Sequence, residues 1–237
     1  MKLLLLLCLY FLVGCATKYV VPGNRFLTPE SQGGAFRGQM ELLFTNANQL
    51  TVNTSNGSVN DGVNYSEISR TGFLISNSLF DQFDFFWSHI GSANSMLGGK
   101  LQVIGDSRSS RGAGNKLSLA AALGGNEHET EDKSVEFELG GNEFYILYGY
   151  RINEAFLPYA SVSYATYNFS GQVRSSNPVL NGLRPEIETS INSLSGGLEI
   201  SLDAFFAKLE TTYQELRSSD TKDKSRFIFG YSLGFSW

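Results

Sequence analysis

The chain has 237 residues, enough for one or two domains; 42% of them are apolar and 17% are charged, against a usual charged share of about a quarter. Glycine is abundant at 25, aromatics reach 13%, proline is scarce at 5, and the mean hydropathy of −0.11 signals no uniformly hydrophobic protein. The net charge of −5 argues against a nucleic-acid partner, because a phosphate-binding surface needs an excess of Lys and Arg.

The chain opens with MKLLLLLCLYFLVGCATK. Lys2 gives a short positive start, and Leu3–Val13 is an apolar run of about eleven residues, too short for a spanning helix of about twenty. This reads as a signal peptide over residues 1–14. Leu12-Val13-Gly14-Cys15 resembles the lipobox of bacterial lipoproteins. That resemblance implies cleavage before Cys15, a diacylglyceryl thioether on its sulfur and an acylated amine. The other reading is an ordinary signal peptide with a chance cysteine. Cys8 leaves with the signal peptide, so the mature chain has no thiol for a disulfide or a thiolate metal site. Residues 15–33 lack periodicity and read as an acylated tether to the folded part at 34–237.

From residue 34 onward, apolar and polar residues alternate, the period of a strand. Met40, Leu42 and Phe44 oppose Arg37, Gln39 and Glu41. Phe73, Ile75 and Leu79 continue the apolar set. In FDFFWSHI, Phe83, Phe85 and Trp87 share a face, but Phe86 faces the other way. Leu97 and Leu101 oppose Lys100; Leu117, Leu119 and Leu123 oppose Lys116. Between Glu143 and Ile152 the apolar phase changes near Gly140-Gly141, which suggests a bulge. Residues 157–169 carry aromatics on both faces, leaving their orientation open. Leu198, Ile200 and Leu202 oppose Glu199. Leu209 and Tyr213 oppose Lys208 and Glu210. The final FIFGYSLGFSW sets Phe227, Phe229, Tyr231, Leu233, Phe235 and Trp237 against Ile228 and small residues.

Short connections near 80–82, 153–155 and 203–204 alternate with longer polar ones at 47–67, 126–134, 173–188 and 218–223. That alternation gives about ten strands: 34–46, 68–80, 82–91, 95–105, 115–125, 135–152, 155–171, 189–202, 204–217 and 225–237. Eight or twelve remain open, because strand ends are uncertain by a few residues. The one helical candidate, AFFAKLETTYQELR, fits period two at least as well.

The polar set is rich in Gly, Ala and Ser with scattered charge, and the apolar set is rich in aromatics. That suits a sheet with lipid outside and a narrow polar interior, and a sheet crossing lipid must close. The pattern resembles bacterial outer-membrane β-barrel proteins, whose last strand commonly ends in an aromatic residue read by the barrel-assembly machinery; the matching positions are Tyr231, Leu233, Phe235 and Trp237. The expected fold is therefore all-β: a closed antiparallel up-and-down transmembrane barrel in the bacterial outer membrane. With an even strand number, both termini are expected on the periplasmic side. The expected partners are outer-membrane lipids and the assembly and lipoprotein-sorting machineries, with no cofactor. The alternative is a soluble β-rich lipoprotein of sandwich or lipocalin type.

Arg37, Glu41, Lys100, Lys116, Glu199, Lys208 and Glu210 are expected to line the lumen, either as a pairing network that fills it or as the lining of a narrow pore for small polar solutes. A binding or adhesion role would use the long loops at 47–67 and 173–188. His128 lacks a serine or aspartate at diagnostic spacing, which leaves a lipid-active enzyme the weaker idea. His89, beside Trp87, is placed at a membrane interface.

Overall fold

The computed structural model describes residues 15–54, 64–91, 95–110, 112–129, 135–173, 182, 186–218 and 221–237. Residues 1–14, expected to be a signal peptide, therefore lie outside the described residues. The strands are β1 Cys15–Pro22, β2 Gly38–Thr54, β3 Asn64–Phe80, β4 Phe83–Ile90, β5 Ser95–Ile104, β6 Gly114–Glu129, β7 Val135–Arg151, β8 Phe156–Val173, β9 Glu186–Leu202, β10 Phe205–Ser218 and β11 Thr221–Ser236. From β2 to β11 each strand pairs antiparallel with the next, and β11 pairs back onto β2. The result is a closed ten-stranded barrel, as the alternation predicts, with β1 as an additional strand.

Several strands outrun their expected ends. β2 and β3 continue to Thr54 and from Asn64, so the expected loop at 47–67 contracts to 55–63, outside the described residues. β2 begins at Gly38 instead of residue 34, because 34–37 turn at the rim. No bulge exists at Gly140-Gly141; the β7–β8 register runs unbroken from Val135↔Val173 to Gly149↔Tyr159.

The phase change there has a different cause. Near the short turns, the outward side chains are apolar: Phe205, Leu209, Leu202, Phe144, Ile146, Val162, Phe229 and Phe235 are all exposed. Toward the long loops the polarity inverts. Leu139, Phe169, Ile187 and Leu216 point inward and are buried, while Glu138, Asn168, Glu186 and Asp223 face out and are exposed. On β11 the apolar exterior runs from Phe227 to Trp237; ten residues at about 3.3 Å each, tilted about 40°, rise about 25 Å, the height of a bilayer's apolar band. The 18 residues of β8 rise about 45 Å by the same arithmetic, so about 20 Å of wall stands beyond the band at the long-loop end.

This inversion also settles the aromatics of 157–169. Val162 and Tyr164 face out, while Tyr159, Tyr167 and Phe169 face in, the two tyrosines because their hydroxyls find carboxylates there.

The largest departure from expectation is at the amino-terminal side. Residues 15–33 are not an irregular tether outside the fold. β1 pairs antiparallel with the upper part of β2, from Cys15↔Thr54 to Pro22↔Ala47. β11 holds β2 only from Gln39 to Thr45, and β1 takes the edge that β11 leaves. Val20 and Val21 face opposite ways yet are 2% and 1% exposed, so β1 at this level lies inside the barrel. Asn48 Nδ2 donates to Gln214 Oε1 across the same space at 2.8 Å. From Gly23 the chain runs down the lumen and leaves at the short-turn rim near Gly34. Trp237 exchanges backbone hydrogen bonds with Gly38 at that rim. Cys15 and Trp237 therefore lie at opposite ends of the barrel, correcting the expectation that both termini share one side; the even strand count governs only β2 to β11.

Candidate functional site

The interior of the short-turn half is built by period two. Glu41 on β2, Asp84 on β4, Lys100 on β5, Lys116 on β6, Glu143 and Arg151 on β7, Glu199 on β9, and Lys208 and Glu210 on β10 all alternate with outward apolar residues and are buried. The segment 23–33 runs between them. Gly23 shows how closely: a Cβ there would lie 2.5 Å from both the Asn46 carbonyl oxygen and the Ile228 side chain.

Most of the segment's polar groups are met in order, the buried Thr28 hydroxyl excepted. Asn24 Nδ2 donates to Thr212 Oγ1 at 2.9 Å and to the Glu210 carbonyl at 3.2 Å. The amides of Arg25 and Phe26 each donate to Glu210, at 3.1 Å, and the Tyr159 hydroxyl donates to the same carboxylate at 3.0 Å. The Arg25 guanidinium bonds Glu143 and donates to the Tyr167 hydroxyl at 2.7 Å. Lys208 Nζ donates to the Phe26 carbonyl at 2.9 Å and to Glu41 at 2.5 Å. Phe26 sits at φ 56°, a conformation disfavoured for a bulky residue, held by these bonds on both sides of its peptide.

Farther down, Lys100 donates to the carbonyls of Thr28 at 3.1 Å and Glu30 at 2.5 Å, and pairs with Asp84 at 3.2 Å. Arg151 grips the Glu30 carboxylate through Nε and Nη2 and also reaches Glu199 at 3.1 Å. Lys116 stands 3.8 Å from Glu30. Asp84 accepts the Gln32 amide at 3.1 Å, and Gln102 accepts the Ser31 amide at 2.7 Å. The connection between β5 and β6 folds inward through a 3-10 turn at Arg108–Ser110. Arg108 donates to Glu199 at 3.0 Å and stacks over the buried Phe206 ring at 4.5 Å.

Buried charge is costly unless paired and hydrogen-bonded. Here Glu30, Glu41, Asp84, Glu143, Glu199 and Glu210 face Arg25, Lys100, Arg108, Lys116, Arg151 and Lys208, so acids and bases balance. One remaining cavity beside Arg25 measures about 20 Å³, room for about one water. Chemically, the arrangement is a neutral, closed network with the segment as its axis. Among the described residues, no group of three or more His, Cys, Asp or Glu side chains stands ready to hold a metal.

Six of the expected lumen residues lie inside: Glu41, Lys100, Lys116, Glu199, Lys208 and Glu210. Arg37 does not. It precedes β2 in the exposed rim turn, where its amide donates to the Gly34 carbonyl. Alternation missed Arg25 and Glu30 because it does not reach an aperiodic segment, and Arg108 because it sits in a connection. Asp84, Glu143 and Arg151 did carry a signal: each has the parity opposite to the outward aromatics of its strand. Tyr231, Leu233, Phe235 and Trp237 face outward on β11 and are exposed. His89 is half-buried and bonds Ser95 Oγ at 3.0 Å. The side chain of His128 lies outside what is described.

No protein-family model matches the chain, and no curated protein matches it. Solved structures do. Ail, the attachment invasion locus protein of Yersinia pestis, is similar at 10% identity and TM-score 0.42, over 85% of this chain and 100% of that one. The N-terminal β-barrel domain of Pseudomonas aeruginosa OprF is similar at 14% identity and TM-score 0.35, over 86% and 100%. The NanC porin is similar at 11% identity and TM-score 0.36, over 93% and 97%. These values are low, and the barrel of the present chain rests on its own strand pairing.

Proposed function

We propose that the protein is an acylated outer-membrane barrel that is closed by its own amino-terminal segment and acts, without catalysis, through the part of the wall and the loops that stand beyond the bilayer. The observation that carries this reading is the occupancy of the lumen: Asn24 to Gln32 are hydrogen-bonded to inward side chains of β2, β4, β5, β6, β7 and β10. A narrow channel for polar solutes would need that axis free. The apolar band of about 25 Å supports a membrane location, and the polar wall beyond it supports a surface for binding at the long-loop end. The lipobox supports acylation at Cys15, and the outward aromatics of β11 support handling by the barrel-assembly machinery.

Planar-bilayer recording tests the reading. The full mature chain is expected to give no steady conductance. A chain in which residues 24–32 are replaced by a Gly-Ser stretch is expected to conduct, with an ion preference altered by Lys100→Glu. Steady conductance by the unaltered chain would overturn the closed-barrel reading.

A further inference from the structure

The closed-barrel reading leaves open the direction in which the segment threads the wall, and the register answers it. β1 is antiparallel to β2, whose first residue is at the short-turn rim and whose last, Thr54, is at the long-loop end. Cys15 therefore stands beside Thr54, at the end where the strands outrun the apolar band. In barrels of the outer membrane the short turns lie on the periplasmic side and the long loops outside. The segment from Cys15 to Gly34 then runs from the outer face to the periplasmic rim.

We infer that the mature amino terminus emerges at the cell surface through the barrel's own lumen, so that acyl chains carried by Cys15 enter the outer leaflet and not the inner one. This rests on the acylation proposed above. The geometry allows it. Among the described side chains of β2 the outward apolar residues end at Phe44, and Val20, the first side chain seen buried on β1, pairs with Gln49. Five residues along a strand tilted about 40° rise about 13 Å, and the five residues of Cys15–Tyr19, if extended, span about 17 Å. In β1 these residues pair with Leu50–Thr54, which sets Cys15 ten β2 residues, about 25 Å, beyond Phe44; the lipid reaches the outer leaflet once Cys15–Tyr19 leave that pairing and fold back over the rim. Downstream, the segment has no slack to reverse. Asn24, Phe26, Glu30 and Gln32 are each fixed to the wall in descending order, to Thr212, Glu210, Arg151 and Asp84.

The partner this predicts is a lipid surface on the outside of the cell, reached by a lipoprotein that needs no separate flipping step, because the barrel folds around the passing chain. An inner-leaflet lipid would instead require residues 15–33 to lie at the periplasmic rim with the lumen vacant.

Epitope tags decide between these. One tag is inserted after Thr17, a second in the connection between β2 and β3, and a third in the Asp203–Ala204 turn. Each is stained on intact cells and again after permeabilisation. The expected result is that the first two stain intact cells equally and the third stains only after permeabilisation. A Thr17 tag that stains only after permeabilisation, while the β2–β3 tag stains intact cells, overturns the inference. Incorporation of an alkynyl palmitate, and its loss in Cys15→Ala, is read separately. Failure there removes the lipid but leaves the direction of threading to be read from the tags.

Discussion

Arg151→Met removes the cation that ties the segment to the wall. Arg151 is 2% exposed, grips Glu30 through two nitrogens and reaches Glu199 at 3.1 Å. Without it, Glu30 keeps, among the described residues, Lys116 at 3.8 Å, whereas Glu199 keeps Arg108 at 3.0 Å and Ser201 at 2.9 Å. Removing one partner of a buried pair costs about 3–5 kcal/mol, mostly through the charge left behind. The intact contacts of Glu199 place the expected loss at the lower end, about 3 kcal/mol. The assay is urea unfolding of the barrel in phosphatidylcholine vesicles, followed by the fluorescence of Trp87 and Trp237, which face outward on the apolar band. A double-mutant cycle with Glu30→Gln then isolates the contact. Bidentate geometry predicts a coupling near the upper end of the about 0.5–3 kcal/mol range. A loss under about 1 kcal/mol, or a coupling near zero, would refute the claim that the segment is held in the lumen by this pair.

Glu210→Ala leaves the amides of Arg25 and Phe26 and the Tyr159 hydroxyl without their acceptor, at about 1–3 kcal/mol for each group that stays buried; faster hydrogen exchange at those two amides would show it. Gly197→Ala puts a Cβ 2.4 Å from Tyr159 Cζ and should lower stability by about 1–3 kcal/mol, whereas Gly196→Ala, with nothing within 4 Å, should be close to neutral; paired urea midpoints check both. Lys208→Met should separate the two ends of the network, since among the described residues Glu41 then has no cation within ion-pair distance while Glu199 keeps two. Faster proteolysis near Phe26, with β4 to β8 still protected, is the expected pattern.

Strand number, inward and outward parity and six of the lumen charges were legible because a pleated strand allows only two faces. Lys208 and Glu210 could not point inward without Leu209 pointing out. The inversion of polarity along each strand was present as well, in Leu139 and Phe169 against Phe144 and Tyr164, but a single-environment template turns such a change into a bulge. The content of the lumen was not legible. Residues 23–33 have no period because they belong to no sheet. Their polar groups match wall residues up to 191 positions away, and no local pattern records such a match. Arg37 failed for the opposite reason: its parity is correct, but the strand begins one residue later.

The hydrogen bonds of the threaded segment also constrain the order of assembly. Phe26 and Lys208 are 182 residues apart, and Asn24 and Thr212 are 188 apart, so an early part of the chain to be made waits for nearly the last. Contacts this distant form slowly, because the loop between them must first be ordered. The segment is continuous with β2 at one end, and entering a wall that has already shut would draw Arg25 and Glu30 end-on past the buried charges of the lumen. The order that avoids this has β11 zip onto Gln39–Thr45 after the segment has been laid against β10, and that closure of seven residue pairs then traps it. A cell would see this as a late commitment: until β11 closes, the chain is an open sheet with an unburied thread, and afterwards the thread leaves only by breaking its buried ion pairs along the lumen or by reopening the barrel.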